Sequence, residues 1–311
     1  MPGRHVNHYS KRTRQPRKGL TARLAILIFL LAAVGALSIF SANLYLAMQS
    51  LHRNLDSLEE KLEQVEQENI KLEEQYDQIH EEKEKLREEN EILREENKMM
   101  RSETIIEHGN RETNKVAITI DDGADAALTH RALDYLREHN LQATLFPKGN
   151  NVEQNPEVWQ RAVEEGHELG NHTYSHPFIT NISADRVREE ISGWQESVDK
   201  AVDSSYRTLF FRPPYGDGFL SGQSHHTGRL QEIIAEKGMF TVLWDVELIY
   251  ALRNQAYTPA RVTEHVLANA KGGSIVLLHF NEADIDALPD IISGLRDRGL
   301  EPCSLSELLL D

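Results

Sequence analysis

Leu24 to Met48 (LAILIFLLAAVGALSIFSANLYLAM) carries no charge over 25 residues. At about 1.5 Å per residue that is enough helix to cross a hydrocarbon core of about 30 Å. The pattern then changes to apolar residues at alternating gaps of three and four. Leu51, Leu58, Val65, Leu72, Ile79, Leu86, Leu93 and Met100 take one core position of a heptad, and Met48, Leu55, Leu62, Asn69, Tyr76, Lys83, Asn90 and Asn97 the other. So long an unbroken phase predicts a coiled coil over 49–101. Asn69, Asn90 and Asn97 favour a parallel, in-register homodimer, because each buried amide meets its counterpart across the seam. The flanking charges fit that pairing: Lys61 faces Glu66, Glu82 faces Arg87, Glu89 faces Arg94 and Glu96 faces Arg101, against one repulsive pair, Glu68 and Glu73. The alternative is a lone charged helix held by i,i+4 pairs, which the polar core positions beyond Leu72 also suit. Either way the segment is a spacer of about 80 Å.

Residues 102–114 are polar, and His108-Gly109-Asn110 ends the helical pattern, so this stretch reads as a linker. Short apolar runs then alternate with helical stretches. Strands are expected at 115–120, 142–146, 167–170, 208–211, 240–244, 274–278 and 301–304. Helices are expected to follow them at 125–139, 155–165, 184–202, 230–237, 259–270, 284–298 and 305–310. This repeated β-then-α order over 115–311 predicts an α/β domain with a parallel sheet, either a barrel or a doubly wound layer.

Charge sorts these blocks further. The net charge of −16 makes phosphate-gripping nucleic-acid binding a poor fit. Residues 1–23, by contrast, hold Arg4, Lys11, Arg12, Arg14, Arg17, Lys18 and Arg23 and no acid. By the positive-inside rule this basic tail is cytoplasmic, 24–48 is a single-pass transmembrane helix in the cell membrane, and everything after it is extracytoplasmic. A cleaved signal peptide is the competing reading. Its apolar region is usually only about 7–15 residues, and the best cleavage position here, after Ala42, has Phe40 two places before it. Cys303 is the single cysteine, which excludes an intrachain disulfide and any multi-cysteine metal site.

Residues with chemical potential cluster just after the expected strands, where α/β barrels keep their active sites. Asp121-Asp122-Gly123 ends the first strand, and Asn171 to Pro177, with His172 and His176, follows the third. Arg212 to Gly216 follows the fourth, Trp244-Asp245-Val246-Glu247 the fifth, and His279 ends the sixth. Adjacent carboxylates at a strand end alternate in direction, so one can bind a metal while the other serves as a base. His172 and His176 are four apart, and one helical turn would put both imidazoles on one side. Asp122 with two histidines makes a three-ligand site that leaves room for water. Each feature alone has a bland reading: a turn or helix cap, a chance histidine pair, a surface loop, a hydrogen-bonded core histidine. Their ordered recurrence at strand ends is what points to a site.

These residues, TIDDG (119–123), HTYSH (172–176), RPPYG (212–216), WDVELIYA (244–251) and LLH (277–279), resemble the motifs of the polysaccharide deacetylases with a NodB-homology domain, carbohydrate esterase family 4. The resemblance covers about Lys115–Leu310. It implies a distorted (β/α)7 barrel, which settles the barrel against the layer. By motif, it implies Asp121 as general base, Asp122, His172 and His176 as metal ligands, His279 as general acid and Arg212 as the partner of the base. Tyr215 would donate its backbone amide to the oxyanion. The fourth motif departs. Where the family has Asp-x-x-Asp-Trp, with an Asp supporting the acid histidine, this chain has Glu247, Tyr250 and Ala251, leaving Glu247 or Asp245 to orient His279. Tyr174, Phe178, Tyr215, Phe219 and Trp244 lie near the motifs as candidates for stacking on sugar rings.

The expectation is a membrane-tethered, divalent-metal N-deacetylase. Zinc suits the donor set, which also accepts cobalt, nickel or manganese. The expected substrate is cell-wall polysaccharide, N-acetylglucosamine of peptidoglycan first. The alternatives are N-acetylmuramic acid, a chitin-like or exopolysaccharide substrate, or xylan esters. From another class, the globule could be a deacetylase-derived glycan-binding module on a dimeric scaffold.

Overall fold

The computed structural model describes residues 18–202, 205–220, 224–249, 251–253 and 255–309. Arg4, Lys11, Arg12, Arg14 and Arg17 of the expected tail, and Tyr250 of the fourth motif, lie outside the described residues. The chain divides into two compact units, Met1–Arg87 and Glu88–Asp311.

The described residues of the first unit all belong to one helix, α1 (Lys18–Glu103), which joins the apolar run to the heptads without a break. Among the described residues α1 is the one helix long and apolar enough to cross a membrane. Its heptad leucines Leu51, Leu55, Leu58 and Leu62 are exposed along with the apolar run from Leu24 to Met48.

The second unit adds β1 (Ile105–Ile106), β2 (Lys115–Asp122), α2 (Ala126–Glu138), β3 (Thr144–Pro147), α3 (Gly149–Gln154), α4 (Pro156–Glu164), β4 (Glu168–Leu169) and α5 (Ala184–Ala201). It continues through β5 (Phe210–Phe211), α6 (Ser224–Glu236), β6 (Phe240–Val242), α7 (Pro259–Asn269), β7 (Ile275–His279), α8 (Glu282–Asp297), β8 (Glu301–Cys303) and α9 (Leu305–Leu309). The seven expected β-then-α units are present, with α6 starting earlier than the pattern suggested. Side chains start the helices where the chain leaves each strand. Asp125, Ser183, Thr258 and Asn281 each accept a backbone N–H from the first turn, at α2, α5, α7 and α8.

All strand pairings are parallel, in two ladders: β4-β3-β2-β7 with β8 on β2, and β1-β6-β5. Single bridges join the ladders at both seams, Asn171 to Phe211 and Val246 to Val276, closing a distorted (β/α)7 barrel. β8 takes the lower part of the β2 edge that β3 occupies above it (Ala117 opposite Cys303, Thr119 opposite Thr144). The expected linker 102–114 is more than a linker. Its β-branched pair Ile105–Ile106 forms β1 against Thr241 and Val242, Gly109 N–H bonds Gly273 O at 2.8 Å, and Arg111 pairs with Asp245 at 2.8 Å.

The two-residue period of β2 and β7 builds the site's floor. Val116, Ile118 and Ile120, with Val276 and Leu278, face the surrounding helices in the main core. The alternate residues face the barrel interior. Ala117 and Ile275 pack there with Phe146, Val242 and Leu305, and Thr119, Asp121, Leu277 and His279 stack above them. Small Ala117 and Thr119 leave the interior room for one large polar side chain, Arg212, which is fully buried.

Candidate active site

Asp121 sits on the inner face of β2 and is buried, and Asp122 follows at the strand end with φ 81°. A regular strand would send the two carboxylates to opposite faces. The left-handed backbone at Asp122 instead turns both into one cavity of about 340 Å³. Gly123 continues the turn at φ 82°, where a Cβ would lie 2.5 Å from Asn151 Oδ1. The simple alternation expected from sequence therefore fails at this pair, because the backbone is left-handed where it should be extended.

His172 and His176 are brought together by a loop and not by the helical turn their spacing suggested. Thr173 (φ 64°) and His176 (φ 62°) are left-handed, and the two rings come to 4.8 Å between centroids. His176 Nε2 lies 3.2 Å and His172 Nε2 4.0 Å from Asp122 Oδ1. One donor atom from each of the three residues falls within 4.8 Å of the others, the group of this kind found among the described residues. His172 Nδ1 is 2.8 Å from the Arg212 carbonyl, so it carries the proton there and leaves its Nε2 lone pair facing Asp122. Burial lowers the pKa of His172. Burial, and then His172 itself, push His176 down to about 4. Burial raises Asp122, but His172, His176 and Lys148 outweigh it and leave the carboxyl below its ordinary value. Neutral imidazoles beside an ionised carboxylate are what a divalent cation requires. Asp122 Oδ1 is buried and accepts no hydrogen bond, an orphaned acceptor that a cation would satisfy. The donor set fits such an ion.

Arg212 reaches across the barrel floor. Its Nη1 donates to Asp121 Oδ1 at 2.8 Å and Thr119 Oγ1 at 2.8 Å, and its Nη2 donates to Leu243 O at 3.1 Å. Its guanidinium lies over the Phe146 ring at 4.2 Å. One oxygen of Asp121 is thus fixed while the other, Oδ2, stands 3.7 Å from His172 Nε2. His279 is the register partner of Asp121 on β7, so the two side chains stand next to each other on the inner face. Tyr215 (φ 61°), Trp244 and Glu247 complete the cavity wall, with Ile249 and Leu277.

The expected aromatic candidates separate by position. Phe178 and Tyr215 are half-exposed and stacked at 4.2 Å, with Tyr215 also 4.5 Å from His176. Phe219 belongs to the core, and Tyr174 turns away to donate to Glu153 at 3.0 Å. Asp245 does not serve His279. Its Oδ1 accepts Ile275 N–H at 2.7 Å, and its Oδ2 accepts the Ser274 hydroxyl at 3.0 Å and pairs with Arg111. Sequence reasoning missed Thr119, Lys148 and Asp284. Lys148 stands 3.7 Å from Asp122 Oδ1, just past the end of β3, where the strand-end rule would have found it.

Comparison with known proteins follows the same lines. The family model "Polysaccharide deacetylase" matches residues 108–239, which span TIDDG, HTYSH and RPPYG. Two peptidoglycan-N-acetylglucosamine deacetylases of Bacillus cereus are each 35% identical. One matches over 190 residues (60% of this chain, 64% of the relative), the other over 199 residues (62% and 87%). A peptidoglycan-N-acetylmuramic acid deacetylase of Bacillus subtilis is 30% identical over 204 residues, 65% of this chain and 74% of the relative. The chain thus spans just under two thirds of the first of these relatives. Among solved structures, the Bc1960 peptidoglycan N-acetylglucosamine deacetylase superposes with a TM-score of 0.58 at 31% identity, over 66% of this chain and 92% of that one. A CE4 family pseudoenzyme from Bacillus anthracis superposes at 0.59 with 26% identity, over 67% and 69%.

Proposed function

Because the chain belongs to the polysaccharide deacetylase family, carbohydrate esterase family 4, we propose that it hydrolyses N-acetyl groups of cell-wall peptidoglycan, N-acetylglucosamine first, to acetate and a free amino sugar. The observation that carries this reading is the convergence of Asp122, His172 and His176 beside an Asp121 clamped by Arg212 and facing His279. The choice of sugar is supported by the 35% identity to two relatives named for N-acetylglucosamine, against 32% and 30% for two named for N-acetylmuramic acid.

A divalent ion, zinc in this reading, held by Asp122, His172 and His176 would polarise the amide carbonyl and acidify the attacking water. Asp121 takes that water's proton through Oδ2, since Arg212 occupies Oδ1. The Tyr215 amide N–H donates to the oxygen of the tetrahedral adduct. His279 protonates the leaving nitrogen as the carbon–nitrogen bond breaks. The half-exposed Phe178–Tyr215 stack offers an apolar face to a sugar ring at the cavity mouth.

The test is acetate release from peptidoglycan and from chitooligosaccharides by the detergent-solubilised full chain, with and without chelator. Release that chelator abolishes and added zinc restores is the expected result. The substrate turned over faster names the polymer. The altered fourth motif and the likeness to a pseudoenzyme define the second reading, glycan binding without turnover. Zinc-loaded protein that binds peptidoglycan and releases no acetate would establish that second reading.

The tether is part of the proposal: 24–48 spans the cell membrane with 1–23 cytoplasmic, and the globule is extracytoplasmic. So is the parallel homodimer through 49–101. Cys303 is buried, so a Leu58→Cys variant has one reactive thiol. Leu58 in a parallel, in-register pair meets its own copy. Mild oxidation is therefore expected to give a disulfide-linked dimer on a non-reducing gel, and a purely monomeric band would overturn the dimer.

A further inference from the structure

The fourth motif carries Glu247 and Tyr250 where its family pattern has two aspartates, and Asp245 is engaged at the start of β7 by Ile275, Ser274 and Arg111. A different acid stands next to the imidazole. Asp284, in the first turn of α8, is 0% exposed. Its Oδ2 accepts the His279 backbone N–H at 2.7 Å and lies 3.9 Å from Nδ1 of the same residue. Its Oδ1 accepts the Tyr257 hydroxyl at 2.6 Å. The Asp284 N–H in turn donates to the α8 cap Asn281 at 3.0 Å. His279 Nδ1 is buried with no hydrogen-bond partner.

We infer that Asp284 is the positioning carboxylate of His279, held from its far side by Tyr257. The inference rests on the N-deacetylase reading of the site. An acid in the first turn of a helix is ordinarily a solvated partner of the helix dipole. Full burial removes that explanation, because a carboxylate away from water needs donors or a cation on every side. Tyr257, the His279 amide and the Asn281 side chain supply donors, and the orphaned Nδ1 stands 3.9 Å from Oδ2. A small rotation of the imidazole closes 3.9 Å to a hydrogen bond and satisfies both groups at once. With Nδ1–H donated to Asp284, the transferable proton sits on Nε2, the ring atom on the opposite side, and the ring is held in one orientation. Burial, and then the Asp284 carboxylate, push the Tyr257 phenol far up, so it stays protonated and can only donate towards that carboxylate. Burial also raises Asp284, against the pull of Tyr257 and the His279 amide.

The test is Asp284→Asn in the detergent-solubilised full chain. The amide oxygen can still accept the His279 N–H, so the local fold is kept while the charge is lost. The expected result is a kcat for acetate release lower by about tenfold to a hundredfold with KM changed less than about twofold. Tyr257→Phe is expected to give a smaller fall of the same kind. A drop in the tryptophan-fluorescence melting temperature with kcat unchanged would make Asp284 a structural residue and overturn the inference. A second readout needs no turnover. In protein labelled with ¹⁵N-histidine, the ring signal that disappears in His279→Gln is expected to show a protonated Nδ1, and to change in Asp284→Asn. An unchanged signal overturns the inference. A parent protein that releases no acetate would defeat the proposed function, and the nitrogen spectra would still decide the role of Asp284.

Discussion

Asp121→Asn is expected to lower kcat for acetate release by about 10²–10⁴-fold while the protein keeps its metal, and Asp122→Asn is expected to lose the metal. The two carboxylates are neighbours in sequence and line one cavity, yet their surroundings divide the work. Asp121 is held at Oδ1 by Arg212 and Thr119 shares the same guanidinium nitrogen, so only Oδ2 is left for a proton. Asp122 has a buried oxygen with no hydrogen bond and two imidazole nitrogens within 4.0 Å of it. The amide of Asn cannot accept a proton near neutral pH, so the first substitution removes the base and leaves the three ligand side chains in place. The second removes the anionic ligand. Acetate assay and metal analysis on the same samples separate the two. Loss of metal from Asp121→Asn, or near-parental turnover by it, would mean that the roles are wrongly divided between the pair.

Much of this site was legible because a parallel barrel places its chemistry by a simple rule. Continuous apolar runs mark where β2 and β7 lie, and the polar residues at their ends follow. Asp121, His279 and Arg212 are where that rule puts them. The rule fails where the backbone leaves regular structure. Asp122, Thr173, His176 and Tyr215 all have positive φ, which is uncommon for any residue but glycine and which no periodicity argument locates. Such strain is held by surrounding contacts, here the Thr173 hydroxyl accepting the His176 N–H at 3.0 Å and Asn171 accepting the Thr173 N–H at 3.0 Å. β1 was hidden for a related reason. Two isoleucines in a polar stretch carry too little periodicity to declare a strand, and only the open edge of β6 makes them one. Asp284 was hidden because a first-turn acid is ordinary until its burial is known.

Arg212→Met is expected to destabilise the globule by about 3–5 kcal/mol, the usual effect of removing one partner of a buried ion pair. Arg212 is 0% exposed, and the Asp121 side chain that faces it is 3% exposed. Met fills much of the same space over Phe146. What it cannot supply is the donor set, which now serves Asp121, Thr119 and the Leu243 carbonyl. The stranded Asp121 carboxylate is the largest part of the loss. The double variant Asp121→Asn with Arg212→Met should therefore be more stable than Arg212→Met alone, although it carries one more substitution. Lysine should not rescue, since a single ammonium cannot bond several acceptors in the plane of a guanidinium. The protein's tryptophans, Trp159, Trp194 and Trp244, all lie in the globule, so their fluorescence follows its unfolding without interference from α1. In metal-free protein the melting temperature should fall by on the order of 10 °C in Arg212→Met. It should recover in part in the double variant. Equal losses in the two variants would mean that packing over Phe146, and not the Asp121 charge, is what Arg212 supplies.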